Sequence, residues 1–308
     1  MRIVRYSQYY NSVDSIVLAI GKFDGVHLGH QAVINNAKLE AEALKLPLSI
    51  MCFEPNPLVF FRPGLNYKRI DSIRTRIFKF AHMGIDLMFL QNFNHQFAGM
   101  TAKEFIEKIL IEKLKVKSLV IGYDFEFGNK RSGNIELLEE YAKQGYFNLK
   151  IILKQVNEKS EIYSSSLVKA YLEEGKVDKI RSILGAYYTI HGKVRKGKRL
   201  ARNLGYRTAN IAGMEQLVLR YGVYEVKSTF NGQVLKGVAN FGVKPTLFNN
   251  TKPLLEVHFI NFSGDLYNQN LTIEFLRFIR EEKKFESVNA LKQQIMQDIM
   301  GIENNNEI

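Results

Sequence analysis

The chain has 308 residues, of which 46% are hydrophobic, and its single cysteine, Cys52, excludes an intrachain disulfide. No apolar run approaches the ~20 residues needed to cross a bilayer, and no signal-peptide-like apolar region follows Met1. We therefore expect a globular, cytoplasmic protein with two domains and no membrane partner. The formal net charge of +12 suits either nucleic acid or polyphosphate substrates, and only the motifs can distinguish them.

The first half alternates apolar strand-like runs with helical runs. Strands are predicted at 15–20, 48–53, 86–90, 118–122 and 149–154, and helices at 30–45, 71–83, 101–115, 132–144, 164–174 and 176–184. Apolar strands separated by helices predict a Rossmann-like α/β fold, a parallel sheet covered on both faces. Thr101 followed by Glu104 predicts a capping box at the start of the third helix.

The pattern changes after Gly185. Short runs rich in Val, Tyr, Phe and Thr predict an antiparallel β-barrel, at 186–195, 221–230, 233–242, 254–262 and 270–278. Asn231-Gly232 predicts a hairpin between two of them. A C-terminal helix is predicted over 287–300. The predicted domains are therefore 1–184 and 185–308.

Residues 21–30, Gly-Lys-Phe-Asp-Gly-Val-His-Leu-Gly-His, join the first strand of the predicted sheet to a helix. A helix start presents free N–H groups to phosphate, and Gly25 and Gly29 allow the backbone to approach a ligand. His27 and His30 can both face one anion, as N–H donors or as cations. This pattern predicts stabilisation of charge on a nucleotide phosphate. A structural or metal-binding histidine pair is the alternative, and few carboxylates accompany it.

Three residues of the second half indicate phosphate chemistry more weakly. Thr208 and Asn210 share one side of an extended segment, and their oxygens suit Mg²⁺ carrying ATP phosphates. Glu256 lies on the polar face of the alternating run 254–260, where it can accept a proton or serve a structural role. The sequence contains no Walker A motif, which argues against an ordinary P-loop kinase.

Four motifs of the first half resemble the adenylyltransferase half of the bacterial bifunctional riboflavin kinase/FAD synthetases. They are the 21–30 sequence, Phe53-Glu54-Pro55-Asn56-Pro57, Gly122-Tyr123-Asp124-Phe125-Glu126-Phe127-Gly128 and Ser164-Ser165-Ser166-Leu167-Val168-Lys169. The resemblance implies that His27 and His30 stabilise the α-phosphate of ATP. It implies further nucleotide contacts from Asp24, Gly25, Asp124, Ser165, Ser166 and Lys169, and a flavin contact from Asn56.

The second half resembles the riboflavin kinase half of the same family. The matching motifs are residues 201–210 (Ala-Arg-Asn-Leu-Gly-Tyr-Arg-Thr-Ala-Asn), Gly222-Val223-Tyr224, residues 239–246 (Ala-Asn-Phe-Gly-Val-Lys-Pro-Thr) and Asp265-Leu266-Tyr267. The likeness implies Thr208 and Asn210 as Mg²⁺ ligands and Glu256 as the base for the ribityl 5′-hydroxyl. It also implies contacts with ATP from Gly192, Lys193, Gly197 and Arg202, of which the first three form a flap over the nucleotide. It implies a flavin contact from Arg280.

The chain departs from the usual family pattern at four positions. Asn56 stands where the family usually has His, Lys169 where it has Arg, Ala201 where it has Gly, and Arg207 where it has Pro. A lysine cannot make the bidentate phosphate contact of an arginine, and the loss of proline removes a fixed φ angle.

The resemblance implies two Mg²⁺-dependent reactions, in which riboflavin and ATP give FMN, and FMN and ATP give FAD and pyrophosphate. One alternative is a flavin- or nucleotide-binding regulatory protein with one or both activities weakened. Another is an adenylyl- or cytidylyltransferase for a different small molecule. ATP, riboflavin and FMN are the expected partners, nucleic acid is not expected, and the sequence predicts no oligomeric state.

Overall fold

The computed structural model describes residues 1–5, 14–156, 160–195, 208–214, 216–243 and 252–303. The chain divides into two compact units. The first comprises Met1–Tyr67 and Ile77–Tyr163, and the second comprises Lys68–Arg76 and Ser164–Ile308. No helix of the described segments is both long and apolar enough to cross a membrane.

The first unit contains a parallel sheet, as the sequence predicts, with six strands where five were predicted. Its strands are β1 (Arg2–Arg5), β2 (Ile16–Ile20), β3 (Leu48–Glu54), β4 (Leu87–Asn92), β5 (Val116–Gly122) and β6 (Asn148–Ile152). The spatial order is β1-β4-β3-β2-β5-β6, so β2 lies between β3 and β5. Every residue of β2 is buried, which agrees with its uninterrupted apolar sequence.

Helices connect these strands and continue into the second unit. They are α1 (Leu28–Leu44), α2 (Pro57–Phe61), α3 (Ile73–His82), α4 (His95–Ala98), α5 (Ala102–Glu104, followed by π-helical turns over Phe105–Lys113), α6 (Ile135–Lys143), α7 (Ser165–Glu174) and α8 (Val177–Leu184). The predicted capping box at Thr101 is present, with reciprocal hydrogen bonds between Thr101 and Glu104. The short helices α2 and α4 were not predicted, because neither is long enough to show a helical period.

The second unit contains a closed antiparallel barrel, again as predicted, with six strands where five were predicted. Its strands are β7 (Tyr188–Arg195), β8 (Ala209–Ile211), β9 (Gly222–Phe230), β10 (Gln233–Val243), β11 (Pro253–Phe259) and β12 (Asn270–Arg280), in the spatial order β10-β11-β8-β7-β12-β9, and α9 (Val288–Glu303) follows. The predicted hairpin joins β9 to β10. Asn231 and Gly232 both have positive φ, as this tight turn requires.

The segment Lys68–Arg76 belongs to the barrel unit, although in the sequence it lies between the two parts of the first unit. The Tyr188 hydroxyl donates to the Ile70 carbonyl at 2.8 Å, and the His191 N–H donates to Thr75 Oγ1 at 3.1 Å. A parallel bridge also joins Arg69 to Leu217. The compact units therefore do not follow one cut of the chain, and the division of activities at residue 184 stays a prediction.

Gly128 should tolerate alanine much less well than Gly145. Both have positive φ, of 74° and 85°, so alanine strains the backbone by about 1–2 kcal/mol at either site. A Cβ on Gly128 would lie 2.7 Å from the Ala102 backbone nitrogen, whereas one on Gly145 meets no atom within 4 Å. We expect Gly145→Ala to lower the thermal midpoint by a few degrees and Gly128→Ala by at least twice as much. Equal shifts would contradict the contact with Ala102.

Candidate active sites

The 21–30 turn connects the carboxyl end of β2 to α1 through a tightly folded backbone. Phe23, Gly25 and Val26 have positive φ angles of 46°, 88° and 48°. Such angles suit glycine but disfavour a β-branched residue such as valine. Phe23 and Val26 are buried, so core packing holds their backbone in these conformations. The shape of the turn is therefore set by the fold itself.

His27 and His30 lie against each other at the first turn of α1. His27 is the N-cap residue, and its Nδ1 accepts a hydrogen bond from the His30 backbone N–H at 3.3 Å. The two rings stack, with centroids 3.7 Å apart and an interplanar angle of 22°. Because Nδ1 of His27 is an acceptor, the proton of its neutral ring lies on Nε2, which is a hydrogen-bond donor.

Gly29 makes room for this arrangement. A Cβ on Gly29 would lie 3.1 Å from His27 Nδ1 and 3.2 Å from its Cε1. An alanine there would press on the His27 ring and displace it from the helix start. The sequence indicated that Gly29 admits a ligand, and the structure shows that it admits the His27 side chain.

The environment of His27 keeps its ring neutral. Burial lowers the pKa of His27 from 6.5 to about 4, although the carboxylates of Asp24 and Asp124 act in the opposite direction. The effect of burial dominates, because a charged imidazole loses its hydration in the protein interior. His27 is therefore an N–H donor and not a cation near pH 7.

His30 is neutral for related reasons. Burial lowers its pKa well below 6.5, and electrostatic interactions with His27, Lys22 and Lys79 lower it further. His30 Nδ1 is buried and has no hydrogen-bond partner within the described ranges of the chain. The two lysines were not recognised in the sequence. Lys22 lies inside the motif but carries no distinct signal there, and Lys79 lies far along the chain.

A short chain of hydrogen bonds connects Asp24 to Asn56. Tyr67 Oη donates to the buried Asp24 Oδ2 at 3.4 Å, and Asn56 Nδ2 donates to Tyr67 Oη at 3.1 Å. Asn56 Oδ1 accepts from the Leu58 N–H at 2.9 Å and caps α2. Tyr67 was missed because it belongs to no motif. The flavin contact of Asn56 stays a prediction, and both polar ends of its amide already make hydrogen bonds.

The carboxyl ends of β2 and β5 form the edge where these residues meet. β2 and β5 are neighbours, and the next strand after each lies on the opposite side, β3 beside β2 and β6 beside β5. Ligands of open parallel sheets bind at such a crossover. Asp124 follows β5, is exposed, and acts electrostatically on His27. The structure thus brings Asp24, Gly25, Asp124 and the histidine pair to one end of the sheet.

Three further predicted phosphate ligands lie on α7, in the second unit. Ser164 caps the helix by accepting the Leu167 N–H at 3.2 Å, and Ser165 and Ser166 occupy the first turn. Lys169 Nζ donates to the Lys68 carbonyl at 2.7 Å. The roles of Ser165, Ser166 and Lys169 toward ATP stay predictions.

The barrel brings the predicted base and a predicted metal ligand together. Glu256 on β11 pairs directly with Asn210 on β8 and, on its other side, with Asn240 on β10. Directly opposed residues of antiparallel strands project to the same face with Cβ atoms about 5 Å apart. Leu255 and Val257 are buried on the other face, as the alternating sequence predicts. Asn240 was not among the predicted ligands, although its motif was recognised.

The part of the predicted flap that the structure describes is a β-strand. Gly192 and Lys193 lie within β7 and pair with Leu271 and Asn270 of β12. A Cβ on Gly192 would lie 2.5 Å from Ile211 Cγ2, so glycine is needed for the packing of β7 on β8. The predicted contacts from Gly197 and Arg202, and the departures at Ala201 and Arg207, lie outside the described residues.

Arg280 makes an extensive ion pair with Asp298 of α9. Its Nε and Nη2 lie 3.0 Å and 2.8 Å from the two Asp298 oxygens, and both side chains are largely buried. Gln294 donates to the same carboxylate at 3.0 Å. The pair joins the last barrel strand to α9, and the flavin contact of Arg280 stays a prediction.

The predicted Mg²⁺ ligands, Thr208 and Asn210, offer neutral oxygens. In the parts of the chain that the structure describes, no group of three or more His, Cys, Asp or Glu side chains could hold a metal ion. Thr208 is half-buried and Asn210 is buried. Hydroxyl and amide oxygens of this kind suit Mg²⁺, which keeps most of its ligands as waters and phosphate oxygens.

The stability of the first unit should fall on acidification because of His27. Its pKa is about 4 when folded and near 6.5 when unfolded, so the unfolded chain binds more protons at pH values between these limits. The contribution amounts to roughly 2 kcal/mol between pH 6.5 and pH 5. His27→Asn keeps a capping oxygen and should reduce the loss of thermal midpoint between pH 7 and pH 5. His82→Asn, on the exposed side of α3, is the matched control, and equal losses in all three proteins would contradict the assignment.

Two protein-family models match the chain. The model described as FAD synthetase matches residues 11–167, and the model described as riboflavin kinase matches residues 184–305. The first covers the 21–30 turn, Asp124 and the start of α7. The second covers β7 to β12 and all of α9.

Full-length relatives contain both halves in the same order. The chain is 38% identical to the bifunctional riboflavin kinase/FMN adenylyltransferase of Buchnera aphidicola (from Schizaphis graminum), with 97% of each chain covered. It is 36% identical to the enzyme of the same name from Haemophilus influenzae, again with 97% of each covered. A crystal structure of a macrolide-efflux protein from Streptococcus pneumoniae is similar over 97% of each chain, with 27% identity and a TM-score of 0.80. The chain belongs to the family of bifunctional riboflavin kinase/FMN adenylyltransferases.

Proposed function

We propose that this chain converts riboflavin to FMN in the barrel unit and FMN to FAD at the 21–30 turn, with ATP as the second substrate in both reactions. The observation that carries the proposal is the stacked His27–His30 pair at the start of α1, at the sheet edge where nucleotides bind. The two family models and the bifunctional relatives support the choice of flavin as the acceptor.

The adenylyl transfer requires charge stabilisation but no proton transfer. A phosphate oxygen of FMN attacks the α-phosphorus of ATP, and the bond to the bridging oxygen breaks. Pyrophosphate leaves with the electron pair of that bond. His27 Nε2–H and the free N–H groups of the first turn of α1 would donate to the α-phosphate as negative charge develops on it. Neutral imidazoles can do this without the cost of burying a charge before ATP binds.

The phosphorylation of riboflavin does require a base. Glu256 would accept the proton of the ribityl 5′-hydroxyl as that oxygen attacks the γ-phosphorus, and ADP would leave. Asn210, opposite Glu256, and Thr208 would hold Mg²⁺, which neutralises part of the phosphate charge. Gly192, Lys193, Gly197 and Arg202 keep their predicted role around this ATP.

The remaining predicted contacts with ATP and flavin require several side chains to exchange or share hydrogen bonds that they already make. Ser165, Ser166 and Lys169 would hold the triphosphate of the adenylylation reaction, with Lys169 exchanging the Lys68 carbonyl for phosphate. Asn56 and Arg280 would contact flavin only by exchanging or sharing their hydrogen bonds to Tyr67 and Asp298. We expect a cytoplasmic location, which the single cysteine, buried and in no intrachain disulfide, supports.

A product assay tests the proposal directly. Pure protein is incubated with riboflavin, ATP and Mg²⁺, and FMN and FAD are separated by chromatography. Formation of both products is the expected result. FMN alone would restrict the activity to the barrel unit. Binding of flavin without any product would favour a regulatory protein, and turnover with a different acceptor would favour another nucleotidyltransferase.

Glu256→Gln should abolish the first reaction and spare the second. We expect FMN formation to fall by at least 100-fold, because the amide cannot accept the proton. FAD formation from supplied FMN should stay within twofold of the wild-type rate. Glu274→Gln, on β12 of the same barrel, removes a different half-buried carboxylate and serves as the control. If both reactions fall together in Glu256→Gln, the separate-site assignment is wrong.

Replacing both His27 and His30 with Ala should have the opposite effect. We expect the rate of FAD formation to fall by roughly 100- to 1,000-fold, as for the loss of a preorganised donor to a transition-state oxygen. FMN formation from riboflavin should be retained, which also shows that the barrel is folded. Unchanged FAD synthesis in the double variant would rule out the proposed role of the pair.

A further inference from the structure

Lys79 reaches the 21–30 turn from a distant part of the sequence. Its Nζ donates to the Gly25 carbonyl at 3.4 Å. The next residue, Phe80, is fully buried and packs edge-to-face on Phe23, with ring centroids 6.1 Å apart. This contact fixes the backbone of α3 beside the turn. The half-buried Lys79 side chain is therefore held at the turn by the packing of its own helix.

The two histidines do not supply the positive charge that a bound polyphosphate would need at the turn. Both imidazoles are neutral, and the nearest carboxylates, Asp24 and Asp124, are acidic groups that repel phosphate. A bound nucleoside triphosphate carries several negative charges, so a cation is needed close to it. Lys22 and Lys79 both act electrostatically on His30, which places their charges near that ring. Lys22 is exposed, whereas Lys79 is half-buried and its Nζ donates to the Gly25 carbonyl.

We propose that Lys79 binds the pyrophosphate portion of ATP during adenylyl transfer and stays bound to it as it becomes the leaving group. The inference rests on the function proposed above. The ammonium group would exchange the neutral Gly25 carbonyl for phosphate oxygens, because hydrogen bonds to an ionised acceptor are stronger. The flexible lysine stem allows this exchange without movement of the helix. Lys79 would act only as a hydrogen-bond donor and transfers no group.

The division of roles between the histidines and Lys79 follows from their surroundings. The histidine N–H groups at the start of α1 would serve the α-phosphate, where charge changes during the reaction. Lys79 would offset the charge that accumulates on pyrophosphate when the bond between the α- and β-phosphates breaks. Gly25, whose carbonyl accepts the hydrogen bond from Lys79, has a φ of 88°, which suits glycine.

The test compares Lys79→Met, Lys79→Arg and wild-type protein, with Lys103→Met on α5 as an exposed lysine control in the same unit. Titration calorimetry measures the binding of inorganic pyrophosphate with Mg²⁺, and steady-state assays measure FAD formation from FMN and ATP. We expect Lys79→Met to weaken pyrophosphate binding and raise the KM for ATP, each about tenfold. Lys79→Arg should restore most of both. Lys103→Met, and FMN formation in all variants, should match the wild type.

Several outcomes would overturn the inference. Unchanged pyrophosphate binding and unchanged KM in Lys79→Met would do so, and so would a fall in kcat with both affinities unchanged, which would indicate a positioning role. If Lys79→Met does not fold, Lys79→Gln replaces it. Wild-type protein that forms no FAD would reject the proposed function, and pyrophosphate binding alone would then decide whether Lys79 contacts polyphosphate.

Discussion

The hydrogen bond from the His30 backbone N–H to His27 Nδ1 is the interaction on which the geometry of the histidine pair depends. It caps α1, sets the tautomer of His27, and holds the two rings in contact. It requires a glycine at position 29 and a turn with positive φ at Phe23, Gly25 and Val26. Burial of the turn maintains that conformation and keeps the rings neutral, so one packing constraint determines geometry and electrostatics together.

The two proposed sites would handle ATP with different chemistry. At the turn, N–H donors and lysine charges lie beside the carboxylates of Asp24 and Asp124, and such donors and cations suit a reaction that only redistributes negative charge. In the barrel, Glu256 lies between Asn210 and Asn240 on one face, which combines an acid with neutral oxygen donors. An attacking hydroxyl must lose a proton, and an attacking phosphate need not. The difference in residue types therefore follows from the difference between the two nucleophiles.

The sequence predicted the long elements and the location of most candidate residues. The parallel sheet, the barrel, the capping box at Thr101 and the hairpin at Asn231-Gly232 are all confirmed. It missed β1, α2, α4 and the three-residue β8, because elements this short show no hydrophobic period and depend on pairing or packing with distant residues. It also did not show that the missing Cβ atoms of Gly29 and Gly192 make room for His27 and Ile211. The ligand contacts of both glycines stay predictions.

The sequence by itself determined what depends on neighbouring residues, namely the glycine-rich turn with its histidines, the helix caps, the strand alternation around Glu256 and the family. Only the tertiary structure decided which distant segments meet. It brought Lys79 to the Gly25 carbonyl, Tyr67 between Asn56 and Asp24, and the segment Lys68–Arg76 onto the barrel unit. The physical reason is separation along the sequence. Local patterns depend on residues a few positions apart, whereas these contacts arise from the packing of whole elements.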